Sequence, residues 1–276
     1  MNRQLALVFD FDDTLAHDST TDFLEAWGVD VEKFWGVENK HLMETGWDPV
    51  LSYMYQMQLL SKKEPQKQLT QAELKAFGNK VRFYPGVQEL FPYLREFVHH
   101  EDKSFHLEFY IISSGLGDLI RSTPIAGEFT DIFASEFAYN EEGAVVFPQR
   151  VVSFTDKTRY LFQISKGIVG PEYANKPFEV NRKVKELRIP LANMIFIGDG
   201  LTDVPCFSLM AKNQGIPLAV YDPDNHEKKF KAWGFVEDGR VKNLHSADYR
   251  KDSDLVGSIE MSLRFLINRS KTVYQG

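Results

Sequence analysis

The chain has a single cysteine among its 276 residues, Cys206, so no intrachain disulfide can form. Cys206 stands in the apolar context DVPCFSLM, where a free thiol reads as a small buried hydrophobe. No apolar run approaches the roughly 20 residues of a membrane span. There is no surplus of positive charge either. Lys and Arg number 32 against 39 Asp and Glu, a formal net charge of −7, which excludes a general nucleic-acid binder on bulk charge. The opening MNRQLALVFDFDD meets acidic side chains before any apolar segment of signal-peptide length develops, so a soluble, cytoplasmic protein is expected. The NRS tripeptide at Asn268 has the form of a glycosylation acceptor and, without a secretion signal, reads as chance.

What is present suits a large α/β core. Hydrophobic residues make up 43% of the chain, enough for one large core or for one core with a smaller attached domain. Short apolar runs predict strands at 5–9, 109–113, 132–137, 194–199 and 217–222. They are continuous rather than alternating, as in a parallel sheet covered on both faces. Helical patterns lie between them, at 84–98 and 156–168 for example. Strands alternating with helices predict a doubly wound sheet. FAYNEEGAVVFPQRVV (137–152) reads as a β-hairpin turning at Asn140–Gly143. SIEMSLRFLINR (258–269) reads as a final helix packed on the core.

Residues 16–83 break the rhythm. They contain helical stretches and no convincing strand, with a capping box spaced at Thr70 and Glu73. An all-helical insert directly after the first strand predicts a small cap domain, 16–83, attached to a core formed by 1–15 and 84–276. KKEPQKQ (62–68) reads as a solvated linker, YMYQMQLL (53–60) as helix core, and the remaining lysines of the insert as a solvated face.

The chemistry concentrates at strand ends, where open parallel sheets bind ligands. LALVFDFDDTL (5–15) finishes an apolar strand with Asp10, Asp12 and Asp13 in four positions. Buried like charges repel and are costly unless compensated, and a divalent cation is the obvious compensation. Ser113, Ser114 and Gly115 follow another strand, Lys157 opens a helix, and GDGLTD (198–203) follows a third strand. A carboxylate can attack phosphorus as a nucleophile. A second carboxylate can hand a proton to the leaving alkoxide. Hydroxyls, backbone N–H groups and a lysine can hold phosphoryl oxygens. Oxygen-only ligands suit Mg²⁺, with Mn²⁺ as a substitute. Together these parts predict phosphoryl transfer.

DFDDT with GDGLTD resembles the haloacid dehalogenase superfamily, in its phosphatase branch. The order of Asp-x-Asp-x-Thr, a serine-ended strand, a lysine and an acidic motif is met across residues 10–203, and ADYR (247–250) extends the likeness over most of the chain. The resemblance implies a Rossmann-like core. It implies Asp10 as nucleophile and metal ligand, and Asp12 as general acid and base, with its backbone carbonyl on the metal. It implies Ser113, Ser114, Gly115 and Lys157 as phosphate-binding groups, and Asp199 and Asp203 as metal ligands. Lys166, Lys176 and Lys183 compete with Lys157 for the third motif. Asp13 stands where the family often has glycine and is read as capping the following turn; His17 is read as an exposed or turn residue. The activity implied is that of a Mg²⁺-dependent phosphomonoesterase acting on a small phosphorylated metabolite. The alternatives are a phosphotransferase or phosphomutase, a metal-independent dehalogenase, which the acidic motifs disfavour, and a non-catalytic phospho-ligand binding protein. The layout is similar to phosphoserine phosphatases, but their glutamate nine positions after the nucleophile is Ser19 here. Asp18 and Asp22 are the nearest substitutes.

Overall fold

In a computed structural model that describes residues 3–63 and 68–273, the first apolar run forms β1 (Arg3–Phe9), with Leu5 to Phe9 fully buried. Its side chains divide between two cores. Leu5, Leu7 and Phe9 join one hydrophobic cluster; Ala6 and Val8 join the other. A strand covered on both faces needs no polar alternation, hence the continuous apolar run. The sheet is completed by β2 (Phe105–Leu116), β3 (Asp131–Tyr139), β4 (Val145–Arg150), β5 (Met194–Gly198), β6 (Ile216–Tyr221) and β7 (Leu244–Ser246). The strand order is β4-β3-β2-β1-β5-β6-β7. All pairings are parallel except the β3–β4 hairpin. β1 is central, with Val8 in register with Tyr110 of β2 and Phe196 of β5.

A short α7 (Gly117–Ile120) follows β2, and helices cover both faces. On one, α6 (Val87–Glu101) and α11 (Asp254–Val273) bury Leu90, Leu94, Ile259 and Leu263. On the other, α8 (Phe154–Lys166), α9 (Val204–Lys212) and α10 (His226–Glu237) bury Leu161, Ile164, Phe207 and Phe235. Cys206 lies in this second core, as its apolar context predicts. The hairpin turns where expected: the Asn140 N–H donates to Ala144 O at 3.0 Å, and Gly143 takes φ 79°. β7 was not expected, because its three half-buried residues carry no apolar run. No described helix is long and apolar enough to cross a membrane.

Between β1 and α6 the described residues form helices joined by loops. These are α1 (Ser19–Ala26), α2 (Val31–Lys33), a π-helical stretch Phe34–Asn39, α3 (Lys40–Glu44), α4 (Pro49–Lys63) and α5 (Gln71–Phe77). Both halves of the Thr70–Glu73 capping box are made. Tyr53, Met54 and Met57 of α4 are core residues. Of the 62–68 linker, residues 64–67 lie outside the described part. The two ends of this stretch pair at a narrow neck. The His17 N–H donates to Arg82 O at 2.9 Å and the Tyr84 N–H to Leu15 O at 3.0 Å. The far end reaches the hairpin, where the Val145 N–H donates to Leu69 O at 2.9 Å and Gln58 donates to Val146 O.

Candidate active site

β1 ends at Phe9, and Asp10 follows at the carboxyl edge of the sheet. The Asp10 N–H donates to Ile197 O at 2.8 Å, tying the residue to β5. β5 ends one residue before Asp199, so the two motifs lie side by side because their strands are neighbours. Oxygens of Asp10, Asp199 and Asp203 lie within 4.8 Å of one another. Close approach at this edge explains two glycines. A Cβ at Gly198 would run into the Asp203 carboxylate, and one at Gly115 into that of Asp12.

Lys157 sits in the first turn of α8 and is fully buried. Its Nζ donates to Asp10 Oδ2 at 2.6 Å and to Asp203 Oδ1 at 2.7 Å. Burial alone would lower its pKa, but the two carboxylates outweigh that and push it up, so it is a cation. The competing lysine Lys166 instead donates to Val180 O at 2.6 Å. Asp203 also accepts the Gly200 N–H at 3.1 Å. Asp10 accepts the Phe11 N–H at 2.7 Å. Burial, then repulsion by Asp203, raises the Asp10 carboxyl to about 7 despite the lysine. Asp199 is pushed up by burial and then by repulsion from Asp203 and Asp10. Three crowded carboxylates with one lysine between them lack positive charge, and an oxygen-only donor set of this kind fits a hard divalent cation.

Asp12 is fixed from two sides. Oδ1 accepts the Ser19 N–H at 2.8 Å and the Ser19 hydroxyl at 2.5 Å. Oδ2 lies against Gly115. Burial raises its carboxyl well above the usual range, and Asp18 adds repulsion. The Ser113 Oγ accepts the Gly115 N–H at 2.9 Å. The Ser114 Oγ is buried with no hydrogen-bond partner among the described residues, while its carbonyl accepts the Tyr53 hydroxyl at 2.7 Å. Ser113, Ser114 and Gly115, expected to follow a strand, instead lie within β2, beyond the irregularity after Ile112; Ser113 and Gly115 meet Asp12 there, beside the group formed by Asp10, Lys157, Asp199 and Asp203.

Among the neighbouring residues, Asp13 departs from expectation. Asp13 does not cap the following turn. It adopts φ 57°, the left-handed conformation that favours glycine, and its carboxylate accepts from Lys228 Nζ at 2.6 Å. His17 is half-buried, its ring 4.5 Å from that of Tyr84. Asp18 caps α1, accepting the Thr21 N–H at 2.9 Å and hydroxyl at 2.6 Å. Asp22 is held by Arg82 through two contacts of 2.9 and 2.7 Å. Both carboxylates are thus already tied to neighbouring groups.

Three contributors escaped the sequence reading. Ser19 looked only like a helix-start residue, and its bond to Asp12 depends on how α1 returns to the motif. Lys228 lies 215 positions from Asp13 in a run of lysines without distinguishing pattern. Tyr249, in ADYR, is buried and donates to Thr14 O at 2.9 Å. Thr14 in turn donates to Asp199 Oδ1 at 3.2 Å, so Tyr249 braces the threonine of the first motif.

A family model described as haloacid dehalogenase-like hydrolase matches residues 7–208. A protein of Borreliella burgdorferi described as uncharacterized is 28% identical, over 91% of this chain and 93% of its own length. Among solved structures, a probable phosphoserine phosphatase from Vibrio cholerae has a TM-score of 0.59 at 12% identity, covering 98% of this chain and 67% of that one. A HAD family hydrolase from Salmonella enterica serovar Typhi has a TM-score of 0.56 at 16% identity over 87% of this chain; the match spans 66% of that structure. A substrate-bound phosphoserine phosphatase has a TM-score of 0.51 at 18% identity, covering 83% of this chain and 91% of the other. At these identities the structural likenesses establish the fold.

Proposed function

Because the chain belongs to the haloacid dehalogenase-like hydrolase family, we propose that it is a phosphomonoesterase acting on a small phosphorylated metabolite through an aspartyl-phosphate on Asp10. The observation that carries this reading is the buried Lys157 Nζ set between Asp10 and Asp203, beside the Asp10–Asp199–Asp203 cluster. Asp10, Asp199 and Asp203, with the Asp12 backbone carbonyl, would hold Mg²⁺. Bound there, the ion supplies positive charge that offsets both the carboxylates and the phosphoryl oxygens.

In the first step an Asp10 carboxylate oxygen attacks phosphorus and the bond to the leaving oxygen breaks. Lys157 favours the ionised form of that carboxylate and draws in a phosphoryl oxygen, while the Ser113 hydroxyl and backbone N–H groups near Ser114 and Gly115 hold the others. Asp12 protonates the leaving alkoxide. Its raised pKa suits an acid that must carry its proton near neutrality. In the second step Asp12 takes a proton from the water that attacks the aspartyl-phosphate, releasing phosphate and restoring Asp10.

In this reading residues 16–83 form a cap over a core of 1–15 and 84–276. The neck at Leu15 and Tyr84 and the Tyr53–Ser114 contact support it. A closed cap keeps water out during the first step. Phosphoserine is disfavoured as substrate. The position of the amine-binding glutamate is Ser19, occupied with Asp12, and the nearby carboxylates Asp18 and Asp22 are already engaged.

The test is a phosphate-release screen of purified protein with Mg²⁺ against phosphorylated metabolites and p-nitrophenyl phosphate. We expect release from one or a few compounds, abolished by EDTA and by Asp10→Asn, with the variant's circular dichroism unchanged. Silence on every compound would leave a phosphotransferase needing a specific acceptor or a binding protein in its place.

A further inference from the structure

The segment Ser113–Gly115 is not fixed by the sheet that carries it. Register of β2 with β1 ends at Ile111, and register with β3 is interrupted between Ile112 and Leu116. Residues 113–115 fall in that gap. Gly115 has no side chain to restrict the peptide plane between itself and Ser114. A side chain would not fit there, since a Cβ would run into the Asp12 carboxylate and crowd the Ser113 hydroxyl. The orientation of this peptide plane is left to a bond from elsewhere in the chain.

That bond comes from Tyr53 of α4, whose hydroxyl donates to Ser114 O at 2.7 Å. In a trans peptide the C=O and the following N–H point to opposite sides of one rigid plane. Holding Ser114 O thus aims the Gly115 N–H, which donates to Ser113 Oγ at 2.9 Å. A serine oxygen that accepts this bond keeps its own hydrogen to donate, as a phosphoryl oxygen requires. Tyr53 is itself held in place. It is 7% exposed, and its ring lies 5.8 Å from that of Trp35. The Trp35 indole N–H donates to Thr21 Oγ1 at 2.9 Å. Burial, then the charges of Asp12 and Asp18, pushes the Tyr53 hydroxyl well above its ordinary pKa, so it stays a donor. A second bond joins the start of α4 to the core without touching residues 113–115. Asp48 Oδ2 accepts the Ser153 hydroxyl at 2.7 Å, and that hydroxyl makes no capping bond to α8.

Resting on the phosphatase reading above, we propose that Tyr53 is a positioning residue: through the Ser114–Gly115 peptide it sets the Ser113 hydroxyl as a donor to the phosphoryl oxygens. It acts through that peptide and not on the substrate. Because Tyr53 belongs to the helical stretch 16–83, the donor is set only while α4 is seated against the core. Without the tyrosine hydroxyl the plane is free to turn, and a carbonyl oxygen can replace the N–H beside Ser113.

The test compares Tyr53→Phe with Ser153→Ala in the full chain with Mg²⁺, using p-nitrophenyl phosphate turnover and inhibition by orthovanadate. Tyr53→Phe should lower kcat/KM about tenfold or more and weaken orthovanadate by a similar factor. Ser153→Ala removes only the Asp48 bond and should change either quantity by less than about threefold. In a Ser113→Ala background Tyr53→Phe should cost less than about threefold more, because the group it positions is already gone. Equal losses in Tyr53→Phe and Ser153→Ala would mean that Tyr53 merely fastens α4 to the core, and would overturn the proposal. So would full activity in Tyr53→Phe, or a loss that adds in full to that of Ser113→Ala. Melting curves set the assay temperature below the midpoint of every variant. If the wild-type chain hydrolyses no compound, the phosphatase reading fails by itself, and calorimetry with inorganic phosphate decides about Tyr53. Affinity should then fall about tenfold in Tyr53→Phe and hold in Ser153→Ala; unchanged affinity, or no binding by the wild type, overturns the positioning role.

Discussion

Lys157–Asp10 and Lys228–Asp13 are two lysine–aspartate pairs of the same length, 2.6 Å, made by aspartates three positions apart. Their surroundings differ. The side chains of the first pair are 0% and 9% exposed, those of the second 37% and 19%. Lys157 also has a second carboxylate, Asp203, at 2.7 Å. The comparison teaches that distance does not rank ion pairs. In a dry site, removing one partner strands the other charges at high cost, whereas water and mobile ions compensate a pair at the rim.

Lys157→Met should have the largest effect. It leaves Asp10 and Asp203 repelling each other, so turnover should vanish and stability should drop by about 3–5 kcal/mol, the cost of breaking a buried pair. Urea unfolding of metal-free protein measures this. Retained stability would mean that the carboxylates simply take up protons.

Asp12→Asn comes next. If Asp12 is the acid, turnover of alkyl phosphates should fall by about 10²–10⁴-fold. Hydrolysis of p-nitrophenyl phosphate should fall far less, since nitrophenolate leaves without a proton. Equal losses on the two substrates would remove the acid role.

A smaller effect is expected from pH. Burial and then Asp203 raise the folded Asp10 carboxyl to about 7 from an ordinary value of 3.8. Between those values the native protein holds a proton that the unfolded chain has lost. This contribution to stability is complete below about pH 4 and is lost as pH rises through 7. Metal-free protein should therefore melt lower at pH 7.5 than at pH 5.5, and Mg²⁺ should raise the melting temperature more at pH 7.5. Scanning fluorimetry with EDTA or Mg²⁺ checks both signs.

Lys228→Ala should have the smallest effect, about 0–1 kcal/mol. A large loss of stability there would break the comparison and show that Asp13 is more tightly coupled to Asp199 than its exposure implies.

Much of the site was legible because strand ends advertise themselves. An apolar run stopping at Asp10 and another stopping just before Asp199 put both motifs on one edge once the sheet is parallel. The resemblance supplied the roles, and the structure set Lys157 rather than Lys166 against Asp10. Ser19, Lys228 and Tyr249 were not legible in the same way. Each acts through one long-range or loop-mediated contact, and serine, lysine and tyrosine are too common in such places to mark it. The short β7 was missed for a similar reason: three half-buried residues leave no periodic trace.

What the sequence alone determined is the order of elements and the chemistry at their ends, because burial on both faces of a parallel sheet writes itself as continuous apolar runs interrupted by polar clusters. Packing between distant segments sets which charges become partners. The return of α1 to Asp12, the entry of Lys157 between two carboxylates and the reach of Tyr53 to Ser114 all depend on it. Electrostatic consequences follow from burial, which no linear pattern encodes residue by residue.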